Sequence, residues 1–258
     1  MRYFVVDAFA DGLFAGNPAG VCLLEGPVPD GRMQAIAAEN NLPETAFLLR
    51  EGDGYRLRWF TPGFEINLCG HATLASAHVV FTHLEPAARE VAFHTLSGRL
   101  TARREGEGVI RLFFPSLPPH PVEKTAELTA MLGMEPLEFP GERDLNALLE
   151  SPAAVAAFRP DYERLADLPW LNLVVTAKGE VGVDFVSRVF CPELRAEDPV
   201  TGSVHSSLIP FWSARLGKTE LLARQLSARG GTLHCRLTER GVEIGGRAVE
   251  YLRGELLV

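Results

Sequence analysis

One stretch of the hydrophobic pattern stands apart. From Gly70 to Phe81 (G-H-A-T-L-A-S-A-H-V-V-F) apolar residues fall on every side at a period of 3.6, leaving no continuous polar face. A helix apolar all round is buried inside protein rather than laid on its surface. At about 12 residues it is also too short to cross a bilayer. Much of the remaining chain alternates at a period of two, as half-buried strands do. Strands are predicted over Tyr3–Phe9, Ala19–Leu24, Pro43–Leu49, Tyr55–Thr61, Glu90–Thr95, Gly98–Arg103 and Val109–Phe114. The second half offers Trp170–Ala177 and Gly182–Phe190, then β-rich segments from Leu222 to the end. Three further helices are expected. One is N-capped by Asp30 and ends near Asn40-Asn41, one runs from Thr125 to Leu132 with Gly133 as its stop, and a short one covers Asp161–Leu168. Residues 145–160 fit no single period.

The central stretch has an echo. Arg58-Trp59-Phe60-Thr61-Pro62 precedes it, and Arg188-Val189-Phe190-Cys191-Pro192 precedes a second candidate helix over Asp198–Leu208. Both copies read R-x-F-x-P, a short loop, then Gly followed by His or Ser at the mouth of a mostly apolar helix. Pro210 is expected to kink or end the second helix, since it lacks an N–H. The shared order and spacing predict a duplicated unit and two similar domains. Unpaired N–H groups and the positive end of the dipole at each helix mouth suit an anion, and the two mouths facing each other would form one anion-binding pocket. The proline-rich run Pro115–Pro121 is the best linker, placing an N-terminal domain at 1–116 and a C-terminal domain at 117–245, with 246–258 returning to the first.

Composition narrows the function classes. A net charge of −8 without a basic run argues against a nucleic-acid backbone as partner. Cys22, Cys69, Cys191 and Cys235 form no C-x-x-C pair, so neither a zinc knuckle nor a disulfide scaffold is indicated. Asp7 comes too early for a secretory apolar core, and a cytoplasmic protein without a membrane role is expected. Glu44 is the odd member of its strand, a carboxylate against a run that reads as buried.

The motifs G-N-P at Gly16–Pro18, P-E-T-A-F at Pro43–Phe47, R-W-F-T-P at Arg58–Pro62, C-G-H-A-T at Cys69–Thr73 and D-P-V-T-G-S at Asp198–Ser203 occur in this order. Together they resemble the PhzF-like family of phenazine biosynthesis, relatives of diaminopimelate epimerase and proline racemase. The resemblance is strongest over 1–81 and 181–210. It implies an α/β (α+β) diaminopimelate epimerase-like fold: two pseudo-symmetric domains, each a rolled mixed β-sheet around a central helix, with the active site between them. It implies a homodimer and a cofactor-independent isomerase that moves a proton on a small carboxylate, without metal. Carried over by motif, Glu44, His71, Asp198 and Ser203 are the catalytic candidates. Asn17, Gly70, Thr201 and Gly202 are the substrate-binding candidates.

Each residue also has a plainer role. Asp198 fits a helix N-cap, Ser203 a helix-start hydroxyl, His71 a satisfied core histidine, and Cys69 a small buried residue. Burial would raise the pKa of Glu44 toward that of a working acid/base, and a neighbouring Asp198 would push the same way. The racemase relatives pair two thiols at the helix mouths. Here Cys69 precedes Gly70 but Thr201 precedes Gly202, so a single glutamate is expected to carry the proton. Family members also carry a Gln-Gly and an Arg-Pro near the position of Arg229-Gly230-Gly231, which this chain lacks. The competing readings are an amino-acid epimerase or racemase, and a binding protein for small carboxylates without turnover.

Overall fold

Strands β1 (Arg2–Ala8), β2 (Asn17–Leu24), β3 (Glu44–Glu51) and β4 (Gly54–Phe60) bury nearly every residue at their centres, because both faces of this sheet are covered. Helix α1 (Asp30–Asn40), lying between β2 and β3 in the chain, covers one face. It sets Met33, Ile36 and Ala37 against Tyr3, Cys22, Phe47 and Phe60. The other face wraps α2 (Gly70–Val79), whose residues are all buried except His78. This helix packs on β1, β2, β3 and later strands, as an apolar helix must, and its inward hydroxyls return to their own backbone. Thr73 Oγ1 donates to the Cys69 carbonyl and Ser76 Oγ to that of Ala72, 2.7 Å away.

The computed structural model describes residues 1–258 and divides into two compact units, Met1–Phe113 with Gly245–Val258 and Phe114–Ile244. The first adds β5 (Glu65–Ile66), β6 (Glu90–Thr95), β7 (Gly98–Arg104) and β8 (Ile110–Phe114). The second holds β9 (His120–Val122), α3 (Ala126–Leu132), β10 (Phe139–Gly141), β11 (Leu145–Leu148), α4 (Pro152–Ala157), α5 (Tyr162–Leu165) and β12 (Leu173–Lys178). It continues with β13 (Phe185–Cys191), β14 (Ala196–Asp198), α6 (His205–Leu216), β15 (Glu220–Gln225), β16 (Gly231–Thr238) and β17 (Gly241–Gly246). Strand β18 (Ala248–Glu255) closes the chain and pairs with β1.

The pairing order exposes the duplication. The first unit runs β18-β1-β2-β3-β4-β6-β7, with junctions antiparallel, antiparallel, parallel, antiparallel, parallel and antiparallel. The second runs β9-β10-β11-β12-β13-β15-β16 with the same series. Short β5 lies on β4 as β14 lies on β13. Each unit is thus a mixed sheet with one dominant apolar helix.

The repeated R-x-F has a physical cause in both copies. Arg58 grips Glu65 with Nε at 2.6 Å and Nη2 at 2.7 Å while its guanidinium lies over Phe60. Arg188 grips Glu197 with Nε at 2.7 Å and Nη2 at 2.9 Å and lies over Phe190. Both forks are bidentate, the geometry in which a guanidinium and a carboxylate match best. Each ties a long strand to the short one leading to its helix. Arg188 also donates Nη1 to the carbonyls of Val155, Ala156 and Phe158, fastening the end of α4.

Three local expectations are corrected. Asp30 is not a cap: Pro29 holds the N-cap position, and Asp30 begins the helix and pairs with Arg58. Asp198 does not cap α6 either, because it ends β14 and the helix begins at His205 after a tight turn. Pro210 lies inside α6, which runs on to Leu216. The carbonyl deprived of a partner by the proline is that of Ser206, four residues back. It accepts instead from the Leu117 N–H at 2.9 Å, so the helix continues without an unpaired buried acceptor.

Arg188→Met should therefore lower stability by about 3 kcal/mol, since it strands Glu197 and three carbonyls. Glu85→Gln, which breaks an exposed pair with Arg50, should cost under about 1 kcal/mol. Urea unfolding of the two variants checks the contrast.

Candidate active site

In the first unit, the start of β3 and the mouth of α2 converge. Glu44 is the first residue of β3, and His71 is the second of α2. The tight turn into α2 is allowed by Cys69 in an extended conformation, with Gly70 opening the helix. Glu44 Oε2 lies 2.9 Å from His71 Nε2, with the histidine side chain 6% exposed and the glutamate 16%. The ring N–H is not directed at the oxygen, so the pair is in ionic contact while neither atom has its hydrogen-bonding capacity filled. On the far side of the ring, Nδ1 meets Asn17 Nδ2 at 3.2 Å and Cys69 Sγ at 3.6 Å. In the neutral ring this makes Nδ1 the acceptor and places the proton on Nε2; the imidazolium requires the Asn17 amide to turn its oxygen to Nδ1.

Burial disfavours a charged imidazole here, but the Glu44 carboxylate outweighs it and holds His71 well above the ordinary histidine range. Burial, helped by that same carboxylate, pushes the Cys69 thiol up, so its sulfur carries no charge near neutral pH. Donor atoms of Glu44, Cys69 and His71 lie within 4.8 Å of one another, a spacing that a metal ion could use.

In the second unit, the loop from β14 to α6 gathers the remaining candidates. Thr201 Oγ1 donates to Asp198 Oδ2 at 2.5 Å. Gln225, 1% exposed at the end of β15, fixes this turn from beside it. Its Oε1 accepts the Thr201 N–H at 2.9 Å, and its Nε2 donates to the Asp198 carbonyl at 2.7 Å. Below the turn, fully buried His205 donates Nδ1–H to the Thr201 carbonyl at 2.9 Å. Burial pushes its pKa down to about 4, so it stays neutral. Gly202 and Ser203 lie in the turn, with the Gly202 carbonyl accepting the His205 N–H. Ser203 Oγ accepts from Arg143 Nη2 at 3.2 Å.

Glu44, His71, Asn17 and Gly70 thus form one group, and Asp198, Thr201, Gly202 and Ser203 another. Gln225 and Arg143 are the additions. A glutamine ending an alternating strand was the one available signal for Gln225. Arg143 stands in a stretch with no readable period.

The chain is similar to known proteins. The family model for phenazine biosynthesis-like proteins, PhzC-PhzF, matches residues 6–254. The chain belongs to the PhzC-PhzF family. A relative named as an uncharacterized isomerase of Pseudomonas aeruginosa is 49% identical, covering 99% of this chain and 98% of its own. The phenazine biosynthesis-like domain-containing protein 2 of Mus musculus is 40% identical over 98% of each. Among solved structures, a PhzF-family protein of Enterococcus faecalis aligns over 100% of this chain and 99% of its own, with a TM-score of 0.96 and 46% identity. A hydroxyproline epimerase of Agrobacterium vitis, at 13% identity and TM-score 0.65 over 98% of this chain and 91% of its own, shares the fold. The PhzC-PhzF chain therefore has the two-domain epimerase-like architecture. No helix in it is long and apolar enough to cross a membrane.

The raised pKa of His71 fixes the sign of a pH effect. Its contribution to stability is complete below about 6.5, the unfolded value, and is lost as pH rises through the folded value. Glu44→Gln should remove that part of the pH dependence and lower the His71 pKa, as read by thermal denaturation across pH and by imidazole NMR.

Proposed function

We propose that this protein is an isomerase of a small carboxylate, in which Glu44 moves the proton and no organic cofactor takes part. The observation that carries this reading is the buried Glu44–His71 contact, in which both atoms keep unfilled hydrogen-bonding capacity. A residue at the mouth of an apolar helix needs no such partner to fold, whereas a proton carrier does. The names of the bacterial relatives, as isomerases, agree with the general class.

In this scheme the Glu44 carboxylate takes a proton from a carbon activated by the substrate's own carboxylate or an adjacent double bond. The electron pair left behind shifts along the conjugated system. Neutral Glu44 then returns the proton at another carbon, so the product is an isomer of the substrate. Protonated His71 stabilises the carboxylate form of Glu44 before the proton is taken and again after it is returned. First-turn N–H groups at Gly70 and the turn at Gly202 are suited to substrate oxygens, with Asn17 setting the His71 ring. Asp198 and Thr201 hold their turn in shape, and Ser203 offers a hydroxyl. A two-thiol racemase is disfavoured, since Cys69 is held protonated and Thr201 takes the matching place before Gly202.

The test is proton exchange. Small carboxylates incubated with the protein in deuterium oxide should lose proton signal at one carbon, as followed by NMR. Glu44→Gln should slow this by about 10²- to 10⁴-fold, and Cys69→Ala should leave it within about tenfold. Exchange lost in Cys69→Ala and kept in Glu44→Gln would instead make the thiol the base. Binding without exchange across the panel would make the protein a carboxylate carrier.

A further inference from the structure

The duplicated topology lets the two units be compared position by position. In the first, Thr45 pairs with Phe60 of the R-x-F; in the second, Leu173 pairs with Phe190. One residue earlier, Asn172 therefore holds the place of Glu44. On the neighbouring strand Ala19 pairs with Glu44, and the same register gives Asp144 the place of Ala19. With Gly202 matching Gly70, Ser203 holds the place of His71. The catalytic contact of the first unit thus has a counterpart in the second, built from other residues.

That counterpart is a chain of hydrogen bonds. Asn172 Nδ2 donates to Asp144 Oδ1 at 2.7 Å. Asp144, 2% exposed, accepts on Oδ2 from Arg143 Nε at 3.0 Å and Nη2 at 2.6 Å. Nη2 then reaches Ser203 Oγ at 3.2 Å. Nη1 takes no hydrogen bond within the chain, and the side chain is 32% exposed, so one edge of a fixed guanidinium faces outward beside the Ser203 hydroxyl. The structural clamps Arg58 and Arg188 use all three guanidinium nitrogens within the chain, whereas Arg143 leaves Nη1 unused. An N–H on Nη1 beside the Ser203 O–H offers one donor to each oxygen of a planar carboxylate.

We propose that Arg143 binds the carboxylate of the substrate through its free Nη1 edge together with the Ser203 hydroxyl, with Asp144 and Asn172 as positioning residues. The substrate class rests on the proposed function, but the binding does not require that turnover be correct. Benzoate serves as the probe, with benzamide as its uncharged isostere and phenyl phosphate as a different anion, each titrated by NMR.

Wild-type protein and the Glu44→Gln variant should bind benzoate alike, and both should prefer it to benzamide. Arg143→Gln should weaken benzoate about 10- to 100-fold, the range for a hydrogen bond to a charged group, while leaving benzamide unchanged. Arg143→Lys should fall between, since it keeps the charge and loses the fork. In the wild-type protein, phenylglyoxal modification of Arg143, mapped by mass spectrometry, should be slowed by benzoate and not by benzamide. Benzoate binding unchanged in Arg143→Gln, or no carboxylate binding by the wild type, would overturn the proposal. Arg143-dependent preference for phenyl phosphate would overturn the carboxylate assignment. Loss of exchange chemistry alone, with this binding pattern intact, would count only against the proposed function.

Discussion

A helix without a polar face cannot lie on a sheet; the sheet has to go round it. Helix α2 is that constraint in the first unit. Its buried residues, from Gly70 to Val79, meet strands on several sides, and the sheet curves to supply them. Closing the curve uses β18, brought back from the end of the chain to pair with β1. The same wrapping that buries α2 leaves its mouth as the place where unpaired backbone donors, His71 and the first residue of β3 meet. Burial and chemistry thus share a cause here. The burial of His71 also lowers the local dielectric at the Glu44–His71 contact, where an ionic interaction is stronger for it.

The arginine clamps translate that constraint into sequence. A long strand must hand over to a short one at a fixed distance before each helix. The bidentate grips of Arg58 on Glu65 and of Arg188 on Glu197 set that distance. Phe60 and Phe190 form a flat floor under each guanidinium. The motif recurs because both units solve the same mechanical problem.

What could be read in the chain follows from how local each cause is. The burial of α2 was legible because it depends only on its own composition, and the duplication because R-x-F-x-P repeats in place. Glu44 and His71 were legible from motifs and from a carboxylate set in an apolar run. The start of α6 was not, because Asp198-Pro199 has the local chemistry of a cap while its backbone completes a strand with β13. Nor was the continuation past Pro210, which depends on an N–H from Leu117, far away in sequence. Arg143 and Asp144 read as an ordinary pair of opposite charges in a loop. Their meaning comes from partners 60 and 28 residues away, Ser203 and Asn172, and from a register that exists only once the strands pair.

The divergence of the two copies follows from what protons and charges require. A group that carries a proton must change its charge during the reaction, so its neighbours must accept both forms. Under the proposed function Glu44 is such a group, with the His71 ring 2.9 Å away to offset its charge. A group that only holds an anion is better if it never changes. A guanidinium does not deprotonate in proteins, and a buried carboxylate with an amide behind it fixes its direction as well as its charge. Replacing glutamate by Asn172 removes a titrating group from the matching position, and replacing histidine by Ser203 removes another. The same sheet register that sets a carboxylate beside a histidine in one unit therefore sets a permanent cation beside a hydroxyl in the other.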